Sequence, residues 1–127
     1  MTKERQMLGQ SGEEVAFEFL RKKGYRILEK NYKTLLGEID IIARDKEQLV
    51  FVEVKSLSDT SYILPQEMVN KRKQEQIVRV ALSYLKAKGL KSADCRFDCV
   101  AVVFSFGKEP EIELIKGAFQ SDDRYLY

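Results

Sequence analysis

The residues able to do chemistry gather in one stretch. Gly37-Glu38-Ile39-Asp40-Ile41-Ile42-Ala43 and Leu49-Val50-Phe51-Val52-Glu53-Val54-Lys55 are apolar runs separated by the short charged segment Arg44-Asp45-Lys46-Glu47. Such a pattern predicts adjacent strands joined by a hairpin turn. Asp40 lies inside the first run, and Glu53 and Lys55 close the second. Spaced two apart, Glu53 and Lys55 share one face of a regular strand. Charged side chains seldom occupy such apolar surroundings without partners. Two carboxylates meeting across neighbouring strands could hold a divalent cation, which prefers oxygen ligands and keeps several waters. A cation-polarised water is a nucleophile that needs no histidine. Lys55, held charged by the carboxylates, would orient that water or offset charge on a phosphate. Glu13 would add a third carboxylate if its helix docked over the same sheet edge. The spacing also fits an exposed strand of alternating charges, where a Glu53–Lys55 pair contributes little.

Composition narrows the choices. The chain has 127 residues, no histidine and two cysteines. That length suits one domain with a real core. We expect it to span 1–127, with flexible ends at 1–10 and 120–127. The absence of histidine removes imidazole bases and imidazole zinc sites. A net charge of +2 permits nucleic-acid binding without arguing for it. No apolar run reaches membrane-spanning length and no secretory signal is evident, so a cytoplasmic protein with no membrane partner is expected. There Cys95 and Cys99 would stay reduced, sharing a strand face with Phe97 as small core residues.

Several elements must position the charged stretch. Ser11 and Glu14 are spaced as a capping box, and Val15, Ala16, Phe19 and Leu20 form an apolar stripe, predicting a helix from Gly12 to Lys23 stopped by Gly24. Glu13 is then also a favourable first-turn residue. A strand is expected over Tyr25–Tyr32, with Asn31 near its end beginning a turn. Ser56–Ser61 reads as a polar loop. Pro65 suits the first turn of a long helix from Gln66 to Lys88. That helix carries Lys71, Arg72, Lys73 and Arg79, either as a solvated surface or as a phosphate-facing edge. Lys71 and Lys73 diverge too far to share one narrow stripe. Cys95–Phe104 reads as a covered strand and Glu111–Ile115 as an edge strand with Ile112 and Leu114 on one face. Together these predict an α/β fold, a mixed sheet covered by helices.

Gly12-Glu13, Asn31-Tyr32, the Gly37–Ala43 run, Phe51-Val52-Glu53-Val54-Lys55 and Arg96-Phe97-Asp98 together resemble the YraN-like family of small bacterial proteins. The resemblance runs from about Leu8 through Phe119. That family is similar to the restriction-endonuclease-like, PD-(D/E)XK superfamily and to archaeal Holliday-junction resolvases. The resemblance implies a restriction-endonuclease-like mixed sheet flanked by helices. It implies Asp40, Glu53, Lys55 and Glu13 as catalytic residues, with Asp40, Glu53 and Glu13 as metal ligands. It further implies Mg2+ or Mn2+ and a DNA substrate, branched DNA included. Lys73 best matches the family's basic position in the long helix, with Arg72 and Lys71 beside it as phosphate contacts. Glu38 is kept as a neighbour of the site, and Asp98 as a structural or substrate-positioning group able to pair with Arg96. Leu57 stands where the family often has arginine, and Ile63 where it often has glycine. Members are described as predicted nucleases, so the resemblance does not establish turnover.

The leading expectation is a metal-dependent, structure-selective DNA endonuclease. A non-catalytic nucleic-acid-binding or scaffold protein on the same fold is the alternative; an interaction domain without nucleic acid is a third. Cutting two strands symmetrically would call for a homodimer or a protein partner.

Overall fold

The computed structural model describes residues 3–58 and 68–121, with side chains from residue 12 onward. Its elements are α1 (Lys3–Lys22), β1 (Arg26–Thr34), β2 (Gly37–Asp45), β3 (Gln48–Ser58), α2 (Lys71–Ala87), β4 (Cys95–Phe104) and β5 (Glu111–Phe119). The strands form one five-stranded sheet in the order β1-β2-β3-β4-β5. Neighbours are antiparallel except β3 and β4, which run parallel. A parallel pair needs a crossover, and α2 supplies it. The result is the mixed α/β sheet between helices expected of a restriction-endonuclease-like domain.

Each sheet face has its own core. Ala16 and Leu20 of α1 pack with Ile41, Val50, Val52, Val100 and Val102. Ile77, Ala81, Tyr84 and Leu85 of α2 pack with Ile42, Leu49, Phe51, Phe97 and Cys99. Alternation along β3 therefore sends Val50 and Val52 to α1 and Leu49 and Phe51 to α2. β4 is apolar on both faces because both are covered, and β5 is an edge strand, as its pattern predicts. Both cysteines are free, with Cys99 buried.

β1, expected over Tyr25–Tyr32, runs Arg26–Thr34, and four other boundaries differ more. α1 begins at Lys3 rather than Gly12, so Ser11 and Glu14 lie within the helix and not at its start. Docking on the sheet outweighs the low helix propensity of its glycines. Gly12 meets β3 so closely that a Cβ there would collide with Ser56 Oγ. α2 begins at Lys71, because the Asn70 side chain accepts the Lys73 N–H at 2.9 Å and caps it. Pro65 and Gln66 lie outside the described residues, as do Thr60, Ser61 and Ile63. Ser56 and Ser58 are strand rather than loop, held by the parallel ladder that reaches Ser58↔Phe104. β5 continues beyond Ile115 to Phe119, whose ring stacks on Phe97 at 4.9 Å. Gly24 ends α1 as expected, at φ +97, with Tyr25 N–H donating to the Leu20 carbonyl.

Candidate functional site

The β2–β3 ladder pairs Asp45↔Gln48 through Ile41↔Val52 and goes no further. At its end Asp40 Oδ2 accepts the Val54 N–H at 2.8 Å, so a side chain takes over an amide that the ladder leaves. Glu53 and Lys55 continue the β3 face that carries Phe51, opposite Cys99 and Ala101 of β4. Lys73, in the first turn of α2, acts electrostatically on both Asp40 and Glu53. Asp40, Glu53, Lys55 and Lys73 are thus brought into one neighbourhood, from three elements.

The carboxylates there are poorly compensated. Burial is the largest influence on Asp40; it outweighs the stabilising Val54 N–H, and Glu13 and Glu38 add repulsion, raising its pKa from 3.8 to about 6. Burial and then charged Asp40 push Glu53 to about 7, against the opposing pull of Lys73 and Lys55. The order makes physical sense: Asp40 ionises first, so Glu53 loses its proton beside an existing charge. Glu53 in turn helps burial push the Cys99 thiol up to about 12, so that cysteine is inert packing.

Glu13 and Glu38 meet through Asn31, whose role no local sequence pattern announces. Asn31 lies within β1 at φ +53, not in a terminal turn. With its amide nitrogen toward both carboxylates, it donates to Glu13 Oε2 at 3.0 Å and Glu38 Oε1 at 3.1 Å. Asparagine tolerates this left-handed conformation better than most residues, and that tolerance was the available signal. Among the described residues no three histidine, cysteine, aspartate or glutamate side chains form a group able to hold a metal ion. Asp40 and Glu53 remain a two-carboxylate donor set. Desolvated and mutually repelling, they fit a hard divalent cation that retains much of its water.

Beside them lies a cationic cleft of about 400 Å³ lined by Leu36, Asn70, Arg72, Lys73, Glu75, Gln76 and Arg79. Lys71 is exposed on α2 and does not line it. A cavity of about 610 Å³ elsewhere is walled by Phe51, Leu82, Phe97 and Phe119 and includes none of Asp40, Glu53 or Lys55.

Asp98 lies elsewhere. It shares β4's α1 face with Val100 and is 0 % exposed. Arg96 binds it in bidentate fashion, Nε to Oδ1 at 2.8 Å and Nη2 to Oδ2 at 2.9 Å. Tyr25 Oη donates to Oδ2 at 3.0 Å, and the Gly117 N–H to Oδ1 at 3.0 Å. Arg96 also reaches Gln48 at 2.7 Å and Asp45 at 2.8 Å. The Arg96–Asp98 pairing matches its two-residue spacing; Tyr25, Asp45 and Gln48 carried no local signal.

The model of the family described as "Uncharacterised protein family UPF0102" matches residues 12–102. A UPF0102 protein of Desulfosudis oleivorans is 47% identical over 122 residues, covering 96% of this chain and 97% of the relative. One from Moorella thermoacetica is 46% identical over 120 residues, covering 94% and 100%. One from Syntrophus aciditrophicus is 50% identical over 115 residues, covering 88% and 87%.

Proposed function

This chain belongs to the uncharacterised family UPF0102, and from that premise and its carboxylate site we propose a metal-dependent DNA endonuclease of the PD-(D/E)XK type. The observation that carries the reading is the Asp40–Glu53 pair, half-buried and under-compensated, with Lys73 of the adjoining cationic cleft acting on both carboxylates. Asp40 and Glu53 would hold Mg2+ or Mn2+. When bound, the cation would lower the pKa of a coordinated water and neutralise charge on the phosphate. Lys55, beside Glu53, would orient the attacking water. Glu13 contributes a third carboxylate if Asn31 releases it. Lys73 and Arg72 hold the phosphates flanking the cut, with Lys71 further out on the helix. Water attacks phosphorus, the bond to one ester oxygen breaks, and that oxygen leaves with a proton.

The described residues carry no groove-reading motif, so recognition by DNA shape, branched junctions included, is favoured over a sequence code. Paired cuts would need a second copy of the chain or a protein partner. Among the described residues no helix is long and apolar enough to cross a membrane, and a cytoplasmic location suits a DNA substrate.

The test is cleavage of labelled branched, single-stranded and duplex DNA with Mg2+ or Mn2+, beside Asp40→Asn and Glu53→Gln. Cleavage by the unmodified chain alone supports the reading. No cleavage of any substrate by folded, cation-loaded protein overturns it in favour of a non-catalytic nucleic-acid-binding role.

A further inference from the structure

The β1–β2 hairpin closes at Thr34↔Gly37, leaving Leu35 and Leu36 as its two-residue loop. Two-residue loops favour Asn-Gly or other glycine pairs, because the backbone there usually needs positive φ. Among the described residues only Asn31 and Lys46 are non-glycine residues with positive φ, so neither leucine is chosen for such a turn. Nor is either chosen for burial: Leu35 is 108% exposed and Leu36 50%. Single exposed leucines need no explanation; two at one projecting tip, one of them forming the wall of a cationic cleft, do.

The tip is also held firmly. Leu36 N–H donates to Thr34 Oγ1 at 3.0 Å, and Thr34 Oγ1 donates to the Gly37 carbonyl at 3.4 Å. Gly37, at φ +145, leaves the space of a Cβ to the Gln76 side chain, whose atoms lie 2.8 Å from that position. The hairpin base is thereby seated against α2. Arg72, Lys73 and Arg79 line the cleft with Leu36, and Glu75 is the single carboxylate among its described lining residues. An apolar point projecting from a cationic cleft matches a polyanion with stacked apolar interiors. Proteins that distort DNA insert leucine or similar side chains between base steps while cations hold the phosphates.

We propose that Leu35 and Leu36 form a wedge that enters the base stack of double-stranded DNA at a branch or other weakened step, while Arg72, Lys73 and Arg79 hold the adjoining backbone. This rests on the nuclease reading above and adds how that site would select its substrate. Leu36 lies four residues before Asp40, about 13 Å of strand. At about 3.4 Å per nucleotide along one strand, the opened step lies about four nucleotides from the phosphate beside Asp40 and Glu53. A continuous duplex resists this opening and a branch does not, so the wedge confers shape selectivity.

The experiment uses the full chain in EDTA, so that binding is read without cleavage, on four-way junctions and continuous duplexes with 2-aminopurine scanned along one strand. The unmodified chain should raise the fluorescence of one step near the branch severalfold. Leu35→Ser/Leu36→Ser, which alters exposed positions and should fold normally, should lose that rise while binding within about threefold, since phosphate contacts dominate affinity. Arg72→Gln/Arg79→Gln should instead weaken binding to every DNA and lower the salt slope by about one per cation removed. An equal rise with the serine variant, or no rise with the unmodified chain, overturns the wedge. So does sedimentation showing that the serine changes split a dimer, because the leucines would then join two copies. Cleavage with Mn2+ is scored separately: cutting without unstacking removes the wedge and leaves the nuclease, and unstacking without cutting does the reverse.

Discussion

Two aspartates, Asp98 fully buried and Asp40 half-buried, accept backbone amides where strand pairing is interrupted. Asp98 takes the Gly117 N–H at the irregularity between β4 and β5, and Asp40 takes the Val54 N–H where the β2–β3 ladder ends. Their remaining surroundings are opposite. Asp98 meets a bidentate arginine and a tyrosine hydroxyl, and Arg96 is itself satisfied by Asp45 and Gln48. Asp40 meets other carboxylates, with Lys73 as the counter-charge acting on it. The α1 face thus holds a closed polar network, whereas the carboxylate site holds excess negative potential. Closed networks fix a core; a desolvated surplus of charge marks a place prepared for something not part of the chain.

The largest effect should come from breaking the closed network. Asp98→Ala strips the half-buried Arg96 of its bidentate partner and leaves the buried Tyr25 hydroxyl without its acceptor, and should cost about 3–5 kcal/mol in urea unfolding. A loss as small as a surface change would erase the distinction between the centres. At the open centre, Asp40→Asn should do the reverse. The asparagine oxygen can still accept the Val54 N–H, while the repelling charge is gone. Folded Asp40 and Glu53 bind protons more tightly than an unfolded chain does, with pKa values near 6 and 7. The stability held below about pH 4 is therefore lost as pH rises through those values. Without divalent cation, Asp40→Asn should be more stable than the unmodified chain at pH 8 by on the order of 2 kcal/mol, and equal to it near pH 3. Urea titrations at both pH values read the difference.

Gly12→Ala sharpens the comparison by testing how α1 is seated over the sheet. Its new Cβ meets Ser56 Oγ, so about 1–3 kcal/mol of destabilisation is expected. Ser56→Ala should relieve part of it, although the Ser56 Cβ position remains close at 3.2 Å. The smallest effect belongs to the network's rim. Lys116 is exposed and reaches Asp45 at only 3.5 Å, so Lys116→Gln should change stability by no more than about 0.5 kcal/mol.

The open centre was more legible in the sequence than the closed one, for a physical reason. Asp40, Glu53 and Lys55 stand out locally, because strand alternation and apolar flanks make a charge conspicuous. The Arg96–Asp98 pair was visible through its two-residue spacing. Tyr25, Asp45 and Gln48 join it only through tertiary folding, and nothing near them in sequence announces it. Asn31 was hidden because its left-handed backbone interrupts a strand without ending it. The Ser11 and Glu14 spacing mimics a capping box, so the sequence pattern starts α1 too late, where docking extends the helix to Lys3. The pattern starts α2 too early because Asn70, rather than Pro65, supplies the cap. Lys73 was identified by family resemblance; only the fold brings it to both carboxylates.

The central claim is that the Asp40–Glu53 surplus is a divalent-cation site. Its most direct test is thermal unfolding at pH 8 with and without Mn2+, for the unmodified chain, Asp40→Asn and Glu53→Gln. Binding to the folded state alone at a hundred times Kd stabilises by about 2.7 kcal/mol. The account predicts a saturable upward shift for the unmodified chain that both variants abolish. An absent shift, or an equal one in all three, would contradict it.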